Sequence, residues 1–419
     1  MAHMGPGSAG STADPEYWHI TGDSFPSIKS EMDAEEEPEH LTKIKLKLQD
    51  IQEAHSKIKK DIIFTPVVEA KHVGRKFCNV FFKLENLQYT GSFKARGACN
   101  ALASLSHSER SKGCTISGGR NFLLAMTYYG HRYSIPTSVV VPRDCPIADR
   151  HRYRENYAVV KMYGSDQNDA SLHALSYCEE IGTKHMHGYD RLDLMAGYGT
   201  IGLELLCQLD KIDAIICPVG SGGLIASLIV AVKSLKPKCL IYGAECASCP
   251  VMTRALQEKK PVMVQLNATI ADSLANNIAG MNAFNVIKGY LDRIVTVDER
   301  MISRAMIMLL EREKLIVEGA AACPVAALLG GRVPELAGKI VVCIVSGGNV
   351  NSMRMARVID RGLAADGRLV KFMATVPDVP GAIARLLVKV GETGADVRSM
   401  VPERTWMKRD IFSISVSKI

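Results

Sequence analysis

Short apolar runs alternate with amphipathic stretches along most of the chain. The runs are near-continuous and rich in β-branched residues, and they lie at 80–82, 138–141, 159–162, 214–217, 239–242 and 340–345. Segments with the apolar spacing of a helix lie at 41–59, 170–181 and 301–313. Near-continuous apolar strands are typical of a parallel sheet that is covered by helices on both faces. The pattern therefore predicts an α/β protein.

The pattern changes near both ends of the chain. Residues 1–39 begin like an expression tag and continue with Gly, Ser, Pro and the acidic run 33–37, so we expect this segment to be disordered. The composition at 362–367 is that of a linker, and the order strand, helix, strand, strand is predicted after it. The predicted division is a segment 1–39, a core 40–362, and a linker with a small α+β unit at 363–419.

Composition excludes several classes of function. The 51 Lys+Arg and 44 Asp+Glu residues are spread along the chain without a basic block, which argues against a nucleic-acid partner. The uncharged stretch 214–232 is broken by Pro218 and by four small residues at 220–223, so we interpret it as strand, loop and helix and expect no membrane span. Twelve cysteines without a repeating spacing predict reduced thiols and a cytoplasmic protein.

Lys94 is the first candidate catalytic residue. It follows a turn and stands at the predicted start of a helix, where the positive end of the helix dipole disfavours the protonated amine. Such an amine can form a Schiff base. The alternative from the residues alone is an ordinary surface lysine.

Two further segments stand at the carboxyl ends of predicted strands, where ligands bind in open α/β sheets. Small residues at 220–223 precede a helix and would let backbone N–H groups converge on a phosphate, although a plain tight turn has the same composition. Ser346 follows the strand 340–345 and would either hydrogen-bond a ligand or cap the next helix.

The amine, the phosphate loop and the hydroxyl, in this order, resemble the fold type II pyridoxal-phosphate enzymes, in particular the threonine/serine ammonia-lyases and serine racemase. The resemblance covers roughly 41–359 and extends to Thr65-Pro66, 83–86, 196–204 and 317–322. It implies the tryptophan-synthase-β-like fold, with two open α/β subdomains and the smaller one inserted at about 113–190. It also implies pyridoxal 5'-phosphate as the cofactor, deamination of L-threonine or L-serine, and a homodimer or homotetramer.

The resemblance also assigns roles to single residues. Lys94 would bind the cofactor covalently, Phe93 would pack beside its ring, Asn121 would contact its phenolic oxygen and Ser346 would face its pyridine nitrogen. The phosphate would be held by Gly220, Ser221, Gly222, Gly223 and Leu224.

The substrate loop departs from the family pattern. The family has Ser-x-Gly-Asn-His, whereas this chain has Gly118-Gly119-Arg120-Asn121-Phe122. Three hypotheses follow: Arg120 binds a carboxylate and changes the substrate, Ser117 replaces the missing hydroxyl and preserves deamination, or the altered loop makes a catalytically impaired relative. The family's racemase uses a serine where Gly119 stands, which disfavours serine or aspartate racemisation.

Two other family features are incomplete. Glu245 matches the first ligand of the cation site in some members, but the third ligand, normally acidic, falls at Val251, so no metal site is predicted.

The segment 371–383 resembles the start of an ACT domain, a regulatory amino-acid-binding unit. An ACT fold needs a second helix and a fourth strand, and the sequence leaves open whether the shorter unit regulates activity.

Overall fold

The computed structural model describes residues 45–75, 77–404 and 413–418. The segment predicted to be disordered, 1–39, lies outside the described residues. Within the described ranges, no helix is long and apolar enough to cross a membrane.

The strands and helices alternate along the described chain. The strands are β1 (Val67–Glu69), β2 (Asn79–Leu84), β3 (Cys114–Ser117), β4 (Thr137–Val141), β5 (Val159–Met162), β6 (Lys184–His187), β7 (Ala214–Val219), β8 (Leu240–Cys246), β9 (Arg293–Val297), β10 (Ile340–Val345), β11 (Phe372–Pro377), β12 (Met400–Glu403) and β13 (Ser413–Lys418). The α-helices are α1 (Leu48–Ile58), α2 (Lys94–Ala103), α3 (His107–Lys112), α4 (Arg120–Arg132), α5 (Ile147–Glu155), α6 (Gln167–Ile181), α7 (Leu192–Gln208), α8 (Gly223–Leu235), α9 (Val251–Gln257), α10 (Met281–Tyr290), α11 (Glu299–Met308), α12 (Gly319–Leu329), α13 (Ser352–Ala365) and α14 (Ala382–Gly391).

Two parallel sheets form the core. The larger has the order β1-β2-β10-β7-β8-β9, in which only the edge strand β1 is antiparallel to its neighbour. The smaller has the order β5-β4-β3-β6 and is parallel throughout. This arrangement confirms the predicted α/β fold.

The central strand β7 explains why the apolar runs are near-continuous. All six of its residues are buried. Ile215 and Cys217 belong to one hydrophobic cluster, whereas Ala214 and Ile216 belong to another. Successive side chains of a strand point to opposite faces, so both faces of this sheet must be apolar.

A fully buried ion-pair network lies between β2, α2 and α7. The guanidinium of Arg96 contacts Glu85 at 2.7 Å and Glu204 at 2.6 Å, and Lys83 Nζ lies 2.6 Å from the second oxygen of Glu204. The Thr65 hydroxyl donates to Glu85 at 2.6 Å. Two cations and two carboxylates leave no net charge, and burial is tolerated because each group has partners.

The last sheet has the order β11-β13-β12 and is antiparallel. Its elements follow the predicted order, with α14 between β11 and β12.

The prediction of a linker at 362–367 was wrong for residues 362–365, because α13 continues to Ala365. Gly362 lies so close to α11 that a Cβ on it would come 2.2 Å from Ile307 Cγ1. A glycine that signalled a linker instead permits close helix packing. Predicted residues 411 and 412 of the final strand lie outside the described part.

Candidate active site

The predicted segments meet in one cavity of about 270 Å³ at the carboxyl ends of β7 and β10. Its lining includes Phe93, Lys94, Gly119, Arg120, Asn121, Phe122, Gly220, Ser221, Gly222, Gly223, Leu224, Ser273, Glu318 and Ser346. Three stretches of chain that are more than a hundred residues apart thus contribute to one site.

Lys94 begins α2 and is held among aromatic rings. Its Nζ lies 5.0 Å from the ring centroids of both Phe93 and Tyr198. Burial lowers the pKa of the Lys94 amine to about 8, and the nearby carboxyl of Glu318 opposes this shift. A substantial fraction of the amine is therefore neutral at slightly alkaline pH, as a nucleophile or a proton acceptor must be.

The loop between β7 and α8 has the backbone of an anion cradle. Gly222 has a φ of +97°, which a side chain would strain. A Cβ on Gly220 would come 2.9 Å from Asn276 Nδ2, while one on Gly223 would meet no atom closer than 3.8 Å and would occupy the cavity itself. The absence of side chains therefore leaves the N-terminal amides of α8 open to the cavity, and these residues fit a phosphate group.

Ser346 joins the end of β10 to the start of α2. It lines the cavity, and its carbonyl oxygen accepts a hydrogen bond of 2.9 Å from the N–H of Phe93. An isolated antiparallel bridge pairs Ser92 with Gly347. These backbone contacts hold Ser346 and the start of α2, which carries Lys94, at one edge of the sheet.

The altered loop lies between β3 and α4. Arg120 Nε lies 2.8 Å from Asp149 Oδ1, and its Nη1 donates to the carbonyl oxygen of Asn349. Gly118 has a φ of +145°, and a Cβ on it would lie 3.1 Å from the buried ring of Phe122. The loop is therefore built around a glycine at 118 and an aromatic ring at 122.

Two residues predicted to bind substrate, Gly118 and Ser117, do not line the cavity. Ser117 is the last residue of β3. It is fully buried, and its hydroxyl lies 3.2 Å from His185 Nε2. It is absent from the cavity lining. The hypothesis that Ser117 replaces the missing serine hydroxyl therefore has no support in the geometry.

Glu318 is a cavity residue to which the sequence analysis gave no role. Asn121 Nδ2 donates to its Oε1 at 2.7 Å, and the Ser273 hydroxyl donates to its Oε2 at 3.0 Å. Asn349 in turn donates to Asn121 at 2.9 Å. Burial raises the pKa of the Glu318 carboxyl to about 7, although both donors lower it. The only local feature of the sequence that could have indicated this residue was a carboxylate directly before the helix α12.

Glu245 lies outside the cavity and caps a helix. Its two oxygens accept hydrogen bonds from the N–H groups of Met252 and Thr253 at the start of α9 and from the Thr253 hydroxyl. Among the described residues, no group of three or more His, Cys, Asp and Glu side chains could hold a metal ion. All twelve cysteines are free thiols.

We expect Glu318→Gln to change how stability depends on pH. The folded chain keeps a proton on Glu318 between about pH 4.5 and 7 that the unfolded chain releases, so the free energy of unfolding falls as the pH rises through this window. This penalty, on the order of 3 kcal/mol, is absent in the Gln variant. Chemical denaturation of both proteins at about pH 5 and pH 8 measures it.

A control variant separates this effect from the loss of any carboxylate. Glu53→Gln changes an exposed side chain on α1. It should follow the wild-type pH dependence. Equal pH dependence for Glu318→Gln and the wild type would show that Glu318 is ionised throughout the range and would contradict the prediction.

Known protein families and relatives match this chain over most of its length. A family model described as "Pyridoxal-phosphate dependent enzyme" matches residues 58–347. A curated relative named L-threonine ammonia-lyase, from Geobacter sulfurreducens, is 37% identical over 355 residues, which cover 84% of this chain and 88% of that protein.

Two solved structures also resemble this chain in sequence and fold. Serine racemase from Dictyostelium discoideum is 36% identical, with a TM-score of 0.69, and the match covers 73% of this chain and 99% of that one. Threonine deaminase isoform 2 from Solanum lycopersicum is 29% identical, with a TM-score of 0.71, over 75% of this chain and 92% of that one.

Proposed function

Since this chain belongs to the pyridoxal-phosphate-dependent enzyme family, we propose that it is an ammonia-lyase that converts L-threonine and L-serine into the 2-oxo acid and ammonia. The observation that carries the proposal is the single cavity that holds the amine of Lys94, the glycine loop and Ser346. The similarity to L-threonine ammonia-lyase over most of both chains supports the same activity.

The cavity residues fit pyridoxal 5'-phosphate. Lys94 would hold its aldehyde carbon, Gly220 to Leu224 would hold its phosphate, Asn121 would contact its ring oxygen, Ser346 would face its ring nitrogen, and Phe93 would pack beside the ring. When bound, this cofactor withdraws electrons from the substrate's α-carbon, which allows the α-proton and the β-hydroxyl to leave. A neutral hydroxyl rather than a carboxylate at the ring nitrogen favours elimination over transamination.

Lys94 is the proposed proton acceptor. Its amine is the titratable nitrogen in the cavity with a pKa lowered to about 8, so it is neutral often enough to take the α-proton near neutral pH. Loss of that proton and of the β-hydroxyl as water gives an enamine, and water then converts the free enamine into ammonia and the 2-oxo acid.

The arrangement of the altered loop favours a substrate with a neutral side chain. Arg120 is already engaged by Asp149 and by the carbonyl of Asn349, which argues against its binding an acidic substrate. The N-terminal amides of α4 lie beside the cavity and suit the substrate's α-carboxylate. A Cβ on Gly119 would meet nothing within 4 Å, so this position offers space but no acid or base for racemisation.

The test is product analysis with the cofactor-loaded protein. We expect L-threonine to give ammonia and 2-oxobutyrate in equal amounts and L-serine to give ammonia and pyruvate, with no turnover of L-aspartate. Visible absorption of the bound cofactor should shift on adding the first two amino acids only. Formation of D-serine without 2-oxo acid would favour a racemase. Cofactor binding without any product would favour a catalytically impaired relative.

A homodimer or homotetramer and a cytoplasmic location are part of the proposal. The first rests on the family resemblance and the second on twelve unpatterned cysteines. Light scattering coupled to size-exclusion chromatography tests the assembly.

A further inference from the structure

A second cavity of about 360 Å³ adjoins the first. Both are lined by Arg120, Asp272 and Glu318. The second cavity is bounded in addition by one face of α13, the helix that precedes the C-terminal sheet. None of the roles proposed above uses it.

The face of α13 in this cavity carries a row of arginines. Arg354, Arg357 and Arg361 are three and four residues apart, so they lie on one side of the helix. Arg354 is paired with Asp272. Within the described ranges, neither Arg357 nor Arg361 has a carboxylate or a hydrogen-bond acceptor as a partner. Two guanidinium groups therefore remain without compensation.

The acidic residues of the lining do not balance them. Glu299 accepts hydrogen bonds from the N–H of Ile270 at 2.8 Å and from the Ser248 hydroxyl at 3.1 Å and keeps its negative charge. The lining nevertheless has four arginines against three carboxylates. Burial raises the pKa of Glu318 to about 7, which reduces its negative charge at neutral pH. The cavity is thus net positive, and its remaining wall includes apolar side chains, among them Met306 and Val358.

We propose that this cavity binds a small organic dianion, with one or two oxyanion groups held by Arg357 and Arg361 and an apolar body against Met306 and Val358. Guanidinium groups bind carboxylates and phosphates through paired N–H donors, and a helix face that presents two of them suits a phosphate monoester or a dicarboxylate. The two classes share this chemistry and are distinguished by experiment.

The shared residues connect this site to catalysis, in a manner that rests on the proposed function. A dianion beside Arg357 also attracts Arg354, whose partner Asp272 lines the cavity of Lys94. The neighbouring Ser273 donates to Glu318. Occupancy of the arginine cavity therefore changes the KM for L-threonine, and by reciprocity the substrate changes the affinity for the dianion.

Isothermal titration of the cofactor-loaded protein tests the site, with inorganic phosphate, glycerol 3-phosphate and succinate at matched ionic strength. We expect one saturable site per chain for at least one organic probe, and an affinity at least about tenfold lower in Arg357→Gln/Arg361→Gln. A preference for glycerol 3-phosphate over succinate identifies a phosphate site, and the reverse identifies a dicarboxylate site. The matched control, Arg332→Gln/Arg385→Gln, removes the same charge from exposed arginines outside the cavity.

Two results would overturn the site: the absence of saturable binding by every probe, or an equal loss of affinity in the control variant. A KM for L-threonine that does not change at saturating dianion would overturn the coupling to catalysis. Titration heats do not depend on turnover, so a protein that binds the dianion but forms no 2-oxo acid would contradict the proposed function and leave the binding site in place.

Discussion

Lys94→Ala should lower kcat for L-threonine by at least about a thousandfold, because the variant loses both the covalent anchor of the cofactor and the base that takes the α-proton. The fold should persist, since the contacts of Lys94 Nζ are with the rings of Phe93 and Tyr198. Steady-state 2-oxobutyrate formation with excess cofactor measures the loss. Reduction with borohydride followed by denaturation should leave cofactor attached to the wild type and not to the variant.

Two controls make this result specific to the amine. Lys211→Ala removes an exposed lysine and should leave kcat unchanged. Added methylamine should restore part of the activity of Lys94→Ala, because a free amine can enter the space left by the side chain. Retention of more than about a tenth of wild-type kcat in Lys94→Ala would contradict the assignment, since general-base catalysis alone contributes at least about a hundredfold.

Arg96→Met should destabilise the protein by about 3–5 kcal/mol, the cost of leaving buried carboxylates without their partner. Glu85 and Glu204 would then face one buried cation, Lys83, in place of two. The guanidinium currently holds the pKa of Glu85 below its usual value against the effect of burial. We expect a lower midpoint of urea denaturation, measured with the cofactor bound.

The double variant Arg96→Met/Glu85→Gln tests whether unpaired charge is the cause. It removes one cation and one carboxylate, so it should recover part of the stability that Arg96→Met loses. Arg312→Met supplies the control for the same substitution outside this network. A loss of less than about 1 kcal/mol in Arg96→Met would mean that water or rearrangement compensates the carboxylates, contrary to the prediction.

The parallel sheets and the glycine loop were predictable because their signals are local. A strand buried on both faces needs a continuous apolar run, as in β7, and backbone amides can reach a phosphate only where side chains are absent, as at Gly220 and Gly223. The start of α2 at Lys94 follows from the turn before it. Each of these features is specified within about ten residues of sequence.

The features that could not be predicted depend on distant partners. Ser117 contacts His185, 68 positions away, and Arg120 contacts the carbonyl of Asn349, 229 positions away. Nothing near Glu318 indicates that Asn121 and Ser273 will surround it. The composition of 362–367 predicts a linker, whereas the reason for a glycine at 362, its close approach to Ile307, lies on another helix.

The pairing of β2 with β10 determines when the site can form during synthesis. Val80 lies opposite Val341, so the second strand of the large sheet pairs with its last. Phe93, next to Lys94, donates to Ser346. Contacts this distant in sequence form late, because a long loop must close before they contribute. The smaller sheet uses only residues 114–187 and has all its strands once that segment leaves the ribosome. The amine of Lys94 is therefore translated early but acquires its catalytic surroundings only after most of the chain has emerged.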